Sequence, residues 1–265
     1  MNQRAILCNQ IFKHMNIGII IQARLSSTRL PQKVLLPFYG SITILDILID
    51  KLKLVCQNIV IATSLKPEND ELVKFALNKD ICCYRGSEND VLQRFIDAAK
   101  HNNITHIIRI CSDNPFLDVN SLKRLISAVE DNCDCEYISF NIDGVPSIKT
   151  HYGFWAEYVS LDALMRIKSL TSEHLYHEHV TNFIYTHPDM FNIKWLDVPT
   201  FVKQHKNVRL TIDTKEDFEN AAHIYTALYT QLGCYPTMKD VLMYLDTHSE
   251  YYKSMESQII KNSKK

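Results

Sequence analysis

The sequence feature that most constrains the fold is a short apolar run, residues 17–23, followed directly by a polar and basic segment. The run is rich in β-branched residues, which is typical of a strand buried on both faces of a parallel sheet. The segment after it, residues 24–33, contains a proline, three cations and three hydroxyls: Arg24, Arg29, Lys33, Ser26, Ser27 and Thr28. Ligands of open α/β sheets bind where such a loop leaves a strand. The mixture suits a polyanion such as a nucleoside triphosphate, and a solvated basic loop is the alternative.

Strands and helices alternate through the first half of the chain. After the first strand we expect further strands at 58–63, 81–84 and 105–111. Helices are expected at 42–55, 69–77 and 88–102, and Asp118 should cap a helix that ends near residue 130. This alternation predicts an α/β fold with right-handed crossovers, a mainly parallel sheet and helices on both faces.

The second half has a less regular pattern. Its expected strands are 137–140, 150–158, 191–198 and 208–212, followed by a helix at 214–229. With 6 Gly and 8 Pro, the chain shows no flexible linker. We therefore expect one domain at 16–248, an N-terminal extension at 1–15, and a polar C-terminal tail at 249–265 that frays.

The charge balance argues against two classes of partner. Lys+Arg 29 against Asp+Glu 30 gives a net charge of -1, so no overall field attracts nucleic acid or an anionic membrane. No apolar run approaches the length of a membrane span.

The eight cysteines are scattered without metal-ligand spacing, which favours reduced thiols. We expect a cytoplasmic protein.

Two aspartates follow expected strands. Asp113 comes after the strand at 105–111 and precedes Asn114 and Pro115, and Asp213 comes after the strand at 208–212. Each has an ordinary interpretation, Asp113 as a turn residue and Asp213 as a helix cap. Together, facing one basic loop, the two carboxylates predict a Mg²⁺ and triphosphate site, because Mg²⁺ prefers hard oxygen ligands.

Five motifs, in this order along the chain, resemble those of a known family. They are the segments ARLSSTRLPQK at 23–33, YRGSENDVL at 84–92, SDNP at 112–115, EHVT at 178–181 and LTID at 210–213. The sequence resembles the CMP-sugar-acid synthetases, which include 3-deoxy-manno-octulosonate cytidylyltransferase. It is still more similar to their relatives in spore-coat polysaccharide biosynthesis. The resemblance covers roughly residues 16–229.

The resemblance implies a Rossmann-like, GT-A-like nucleotidyltransferase fold, CTP as donor, Mg²⁺ as cofactor and a homodimer. It implies transfer of CMP to an acidic sugar or a phosphorylated small molecule, with release of pyrophosphate, in surface polysaccharide or glycan biosynthesis. By position, the implied catalytic residues are Arg24, Lys33 and Asp113, and the implied metal ligands are Asp113 and Asp213. The implied nucleotide-binding residues are Ala23, Arg24, Arg29, Lys33, Arg85, Gly86 and Asp90. The implied acceptor-binding residues are His151, Glu157, Glu178 and His179.

The sequence departs from the family pattern at two positions. Gln32 stands where the family often has glycine, and Ser112 stands where the octulosonate enzymes usually have glycine. The histidines at 151 and 179 are equally consistent with structural roles.

Two other functions stay open: a nucleotide-sugar glycosyltransferase, although the Asp-X-Asp pair of that class is missing at Asp113, and a non-catalytic nucleotide-binding module. The sequence does not identify the acceptor.

Overall fold

A computed structural model describes residues 15–262, so the expected extension at 1–15 lies almost wholly outside the described part. An eight-stranded sheet has the order β10-β7-β9-β6-β1-β4-β5, with β8 paired to β7. Its strands are β1 (Ile17–Gln22), β4 (Ile59–Ser64), β5 (Cys82–Gly86), β6 (His106–Cys111), β7 (Tyr137–Ile142), β8 (Val145–Pro146), β9 (Glu157–Ser160) and β10 (Ile193–Asp197). A separate hairpin joins β2 (Pro37–Tyr39) and β3 (Ile42–Thr43).

The sheet is mainly parallel, as the sequence predicts. β1 lies between β4 and β6 and is parallel to both, and β4–β5 and β7–β10 are also parallel. β9 runs antiparallel to β6 and β7 and joins the two halves of the sheet. The result is a mixed sheet in which β1, the central strand of the first half, has a parallel neighbour on each side.

Helices cover both faces of the sheet. They are α1 (Ile44–Lys53), α2 (Asp70–Asn78), α3 (Val91–His101), α4 (Val119–Asp131), α5 (Leu161–Leu170), α6 (His174–Glu178), α7 (Asn182–Thr186), α8 (Thr200–Gln204), α9 (Lys215–Leu232), α10 (Met238–Thr247) and α11 (Glu250–Lys261). No described helix combines the length and the apolar character needed to cross a membrane.

The first strand has the double burial that its composition predicts. Ile19 and Ile21 pack into one apolar cluster, and Ile20 packs into the other. All three are fully buried, because successive side chains of a strand point to opposite faces. The predicted cap of α4 is also confirmed, since Asp118 accepts a hydrogen bond of 2.8 Å from the Ser121 N–H.

Of the strands expected in the second half, one is absent and another is much shorter than expected. Residues 208–212 form no strand, and their backbone N–H groups donate to loops instead: Leu210 to the His151 carbonyl (2.8 Å) and Ile212 to the Asp113 carbonyl (3.0 Å). Of residues 150–158, only the last two belong to a strand, β9. Residues 153–158 and 208–212 are buried and mostly apolar, so their composition resembles that of strands, although only residues 157 and 158 pair with one.

The C-terminal tail also differs from the expectation. Residues 250–261 form helix α11, which ends in the polar stretch that we expected to fray. Met255 and Gln258 are only 2% and 5% exposed. Gln258 and Ser254 both donate to Glu216 on α9. The tail therefore packs on the domain as one of its helices.

Candidate active site

The loops after β1 and β6 leave the sheet at the same edge, because Gln22 and Cys111, the last residues of these strands, lie opposite each other. A cleft at this edge has two adjoining lobes of about 530 Å³ each. The residues that line only the first lobe include Arg24, Ser26, Thr28, Lys33, Lys66 and Asp113. The residues that line only the second lobe are Ile148, Lys149, Thr181, Asn182, Tyr185, Lys261 and Asn262. Five residues line both lobes: Arg29, Arg109, Cys111, His179 and Asp213.

Lys33 lies between the two predicted aspartates. Its ammonium nitrogen is 3.5 Å from Asp113 Oδ2 and 3.8 Å from Asp213 Oδ1, and it donates to the Ile212 carbonyl. The Lys33 side chain is only 12% exposed. The predicted convergence of the basic loop and both aspartates on one cleft is therefore observed.

Asp213 is held by a buried network. Arg209, whose side chain is fully buried, donates to Asp213 Oδ2 (2.9 Å) and to both carboxylate oxygens of Asp217. Arg209 also donates to His151 Nδ1 (2.7 Å). Although burial alone would raise the pKa of Asp213, the charges of Lys33, Arg29 and Arg209 lower it below its usual range. Asp213 therefore stays ionised and fixed in orientation.

The cap of α9 is Thr214, not Asp213. The Thr214 hydroxyl accepts from the Asp217 N–H, and the Asp217 side chain accepts in return from the Thr214 N–H, which completes a capping box. The Asp213 carboxylate is thereby left to face the cleft.

The guanidinium groups of the loop after β1 are paired with acids. Arg24 lies 3.7 Å from Glu88 Oε1, which also contacts Lys66 (3.4 Å) and accepts from the Ser26 hydroxyl (3.1 Å). Burial would raise the pKa of Glu88, but hydrogen bonds from serine hydroxyls and the nearby Lys66 lower it. Arg24 and Lys66 thus lie side by side at the wall of the first lobe.

Arg29 joins the two lobes. Its guanidinium lies 3.0 Å from Asp213 Oδ1 and donates to Asn262 Oδ1 (2.7 Å) at the end of α11. Ala23, at the start of the loop, is buried, and its N–H donates to the Ala62 carbonyl (3.3 Å). Ala23 lines neither lobe, so its contact is with the neighbouring strand.

Gln32 has left-handed backbone geometry, with φ of 55°. Its N–H donates to the Leu25 carbonyl (3.0 Å), and its carbonyl accepts from the Leu35 N–H (2.8 Å). Left-handed geometry favours glycine because it has no Cβ. This explains why glycine suits the same position in the resembling family. The loop therefore keeps its shape here without glycine.

Arg109 is a cleft residue that the sequence reasoning missed. It is only 7% exposed, lies within β6 and donates to the Gln22 side-chain oxygen (2.9 Å). Glu157, at 2% exposed, accepts from Arg109, from the Tyr137 hydroxyl and from the Thr181 hydroxyl. The signal available in the sequence was a single cation within the apolar run of residues 106–111.

Two of the implied acceptor residues lie outside both lobes, and their role in acceptor binding stays a prediction. Glu157 lines neither lobe, because its carboxylate is used in holding Arg109. His151 also lines neither lobe, and its ring nitrogen contacts Arg209. Both side chains contact an arginine: Glu157 contacts Arg109, and His151 contacts Arg209.

The other two implied acceptor residues do lie at the cleft. Glu178 lines the first lobe and His179 lines both. Burial lowers the pKa of His179, an effect that nearby Glu178 partly opposes. His179 is therefore biased towards its neutral form.

Besides Ala23, three other residues implied to bind nucleotide line neither lobe. Arg85 pairs with Asp70 (2.7 Å) and donates to the carbonyls of Ser64 and Lys66, so it anchors the loop after β4. Gly86 ends β5, where a Cβ would lie 3.0 Å from Arg94 Cγ. Asp90 caps α3 through the Gln93 N–H and pairs with Lys168 and His177 (His177 at 3.0 Å). These contacts are with other parts of the fold, and a role of the three residues in nucleotide binding stays a prediction.

The donor set of the cleft fits Mg²⁺ delivered with a polyphosphate. Asp113 and Asp213 supply hard carboxylate oxygens, and the described residues contain no group of three or more His, Cys, Asp or Glu arranged to hold a metal alone. Mg²⁺ commonly uses one or two carboxylates together with substrate phosphates and water. The residues present therefore fit such an ion.

Comparison with known proteins identifies the family. Residues 18–244 match the model of the cytidylyltransferase family. The chain belongs to this family. It is therefore a nucleotidyltransferase enzyme, and the family resemblance expected from the sequence motifs is confirmed.

Individual relatives and a solved structure are consistent with this family. The spore coat polysaccharide biosynthesis protein SpsF of Bacillus subtilis is 36% identical over 79% of this chain and 86% of its own. The 3-deoxy-manno-octulosonate cytidylyltransferase of Rickettsia canadensis is 25% identical over 80% of this chain and 97% of its own. A solved cytidylyltransferase structure from Leptospira borgpetersenii has a TM-score of 0.78 and 27% identity, covering 89% of this chain and 96% of that one. The comparisons do not identify the acceptor.

Proposed function

We propose that this cytidylyltransferase transfers CMP from CTP to an acidic sugar or a phosphorylated small molecule, with release of pyrophosphate and with Mg²⁺ as cofactor. The observation that carries the proposal is the contact of Lys33 with both Asp113 and Asp213 in a cleft at the carboxyl ends of β1 and β6. That arrangement provides fixed cations for a triphosphate and carboxylates for its metal.

The chemistry is an in-line attack of an acceptor oxygen on the α-phosphorus of CTP. The new bond joins this oxygen to the α-phosphorus, the bond from the α-phosphorus to the oxygen that bridges to the β-phosphate breaks, and its electron pair leaves with pyrophosphate. A hydroxyl acceptor releases its proton to water, whereas an anionic phosphate acceptor has no proton to lose at the attacking oxygen. Arg24, Arg29 and Lys33 would bind the phosphates and stabilise the negative charge that develops on them. Mg²⁺ held by Asp113 and Asp213 would supply further charge neutralisation.

The two lobes suggest how the substrates divide the cleft. The first lobe contains most of the loop after β1, so we assign it to the triphosphate. The second lobe shares Arg29 and Arg109 with the first and is assigned to the acceptor. The acceptor oxygen would then enter next to the α-phosphate from the side of Arg109.

The test is a pyrophosphate-release assay. Each of ATP, CTP, GTP and UTP is paired with 3-deoxy-manno-octulosonate, N-acetylneuraminate and glucose 1-phosphate, with and without Mg²⁺. The proposal expects release with CTP only, and only with Mg²⁺. Release with another triphosphate alone would contradict the CTP assignment. Release of UDP from a UDP-sugar would favour the glycosyltransferase alternative.

We also propose a homodimer, on the family resemblance alone. Light scattering on the purified chain tests it, and a monomer at micromolar concentration would contradict it.

A further inference from the structure

Helix α11 contributes to the second lobe, although it lies outside the segment that matches the family. The family match ends at residue 244, and α11 begins at Glu250. Lys261 and Asn262, at its end, line the second lobe. The acceptor side of this cleft therefore includes side chains that the matched family segment does not supply.

The position of α11 is fixed by buried contacts. Met255 is 2% exposed, and its sulfur lies 3.4 Å from the Arg209 backbone nitrogen. The Ser254 hydroxyl donates to Glu216 on α9 (2.6 Å). The helix is thus attached to the same segment that holds Asp213, so its end has a defined place beside the cleft.

Asn262 connects the end of α11 to the loop after β1. Its amide nitrogen donates to the backbone carbonyl and the side-chain oxygen of Gln258, both at 3.0 Å. This leaves the Asn262 oxygen to accept from Arg29 (2.7 Å). The helix therefore positions a guanidinium that lines both lobes.

The second lobe has an excess of positive charge. Arg29, Arg109, Lys149 and Lys261 line it, and Asp213 is its one carboxylate among the described lining residues. Arg29 is paired with Asp213, and Arg109 with buried Glu157. Lys261 lines the second lobe only, so its charge adds to the field felt by a ligand there. Such a lobe favours an anion.

We propose that Lys261 is a specificity-determining residue, which binds the carboxylate or phosphate group of the acceptor from the end of α11. This inference rests on the proposed function for the assignment of the second lobe. A purely structural role is the alternative, because a cation in the last turn of a helix also interacts favourably with the helix dipole.

Steady-state kinetics separate these roles. The acceptor is whichever of 3-deoxy-manno-octulosonate, N-acetylneuraminate and glucose 1-phosphate gives the fastest pyrophosphate release. Lys261→Glu should raise the KM for that acceptor at least tenfold while the KM for CTP changes less than twofold, and Lys261→Arg should restore the wild-type value. Lys253→Glu is the matched control, since Lys253 is exposed on the same helix and lines neither lobe. An unchanged acceptor KM in Lys261→Glu overturns the inference.

Calorimetry tests the inference without turnover. The same three compounds are titrated into the wild type and into Lys261→Glu. Weaker binding by the variant supports the inference, whereas equal binding by both proteins, or no binding of any compound by the wild type, overturns it. A failure of the proposed function is a different result: no triphosphate gives pyrophosphate release, yet the titrations still distinguish the two proteins.

Discussion

Lys33 and Asp213 form an ion pair of 3.8 Å on the cleft surface, with side chains that are 12% and 18% exposed. The pair joins the loop after the first strand to the segment before α9. Screening by solvent is weak at such low exposure, so charges here act strongly on a bound polyanion.

Lys33→Ala should lower kcat/KM for CTP by at least about 100-fold, because a fixed cation would no longer face the phosphates. The fold should be retained, as measured by circular dichroism. Lys74→Ala, which removes an exposed lysine on α2, is the control and should leave the activity unchanged. Wild-type activity in the Lys33 variant would refute the assignment.

Asp113→Asn should raise the Mg²⁺ concentration for half-maximal activity by at least about tenfold, since it removes one charged ligand from the ion. The measurement is a Mg²⁺ titration of pyrophosphate release at saturating CTP. Asp113 is the better choice than Asp213, whose replacement would also disturb Arg209. Asp189→Asn, at an exposed position, is the control. An unchanged Mg²⁺ requirement in the Asp113 variant would count against a metal role.

Glu157→Gln should lower the free energy of unfolding by about 3 kcal/mol, because it leaves the buried charge of Arg109 without its counter-charge. Activity should fall as well, since Arg109 loses its fixed position. Urea unfolding followed by circular dichroism measures the first effect. Glu71→Gln, in the exposed pair with Lys74, should have no measurable effect on stability. Equal free energies of unfolding for the two variants would show that the buried ion pair does not stabilise the fold.

Because Lys51 is a buried lysine, we expect the stability of the fold to depend on pH. It is 1% exposed and donates to the carbonyls of Pro115 (2.9 Å) and Leu117 (3.0 Å). Burial lowers the pKa of Lys51 to about 7, an effect that Asp118 partly opposes. In the unfolded chain a lysine has a pKa of roughly 10.4. Between these two pH values the lysine is protonated in the unfolded chain and neutral in the folded one. The free energy of unfolding therefore rises as the pH rises from about 7 to about 10, and falls as the pH falls through that range.

The test compares the wild type with Lys51→Met in urea unfolding at pH 7.5, 8.5 and 9.5. Relative to the variant, the wild type should gain about 1 kcal/mol per pH unit. A stability difference that is constant across these pH values would contradict the lowered pKa.

The sequence predicts the first half of the fold well because its signals there are local. The apolar run before the basic loop, and the Asp118 cap, depend on neighbouring residues only. Residues 208–212 were wrongly expected to be a strand because their burial comes from contacts with distant loops, those of His151 and Asp113. No local pattern distinguishes that kind of burial from a strand.

The part of the candidate site that local sequence patterns indicate could be predicted, and the part that depends on distant contacts could not. Arg24, Lys33, Asp113 and Asp213 follow apolar runs, and their motifs resemble those of the family. Arg109 and Arg209 lie inside such runs, and their roles depend on the distant Glu157 and on Asp217. The part played by the end of α11 could not be predicted, since no sequence pattern reports that Asn262 reaches Arg29.

The place of Lys33 between two carboxylates also bears on how the protein can be handled. Lys33, Arg29 and Arg209 already balance the negative charge of Asp113 and Asp213, so the folded chain does not rely on a divalent cation to relieve repulsion. Its melting temperature should be the same in EDTA as in buffered Mg²⁺. The chain can then be purified and stored in a chelator, and the ion supplied at the bench together with the nucleotide.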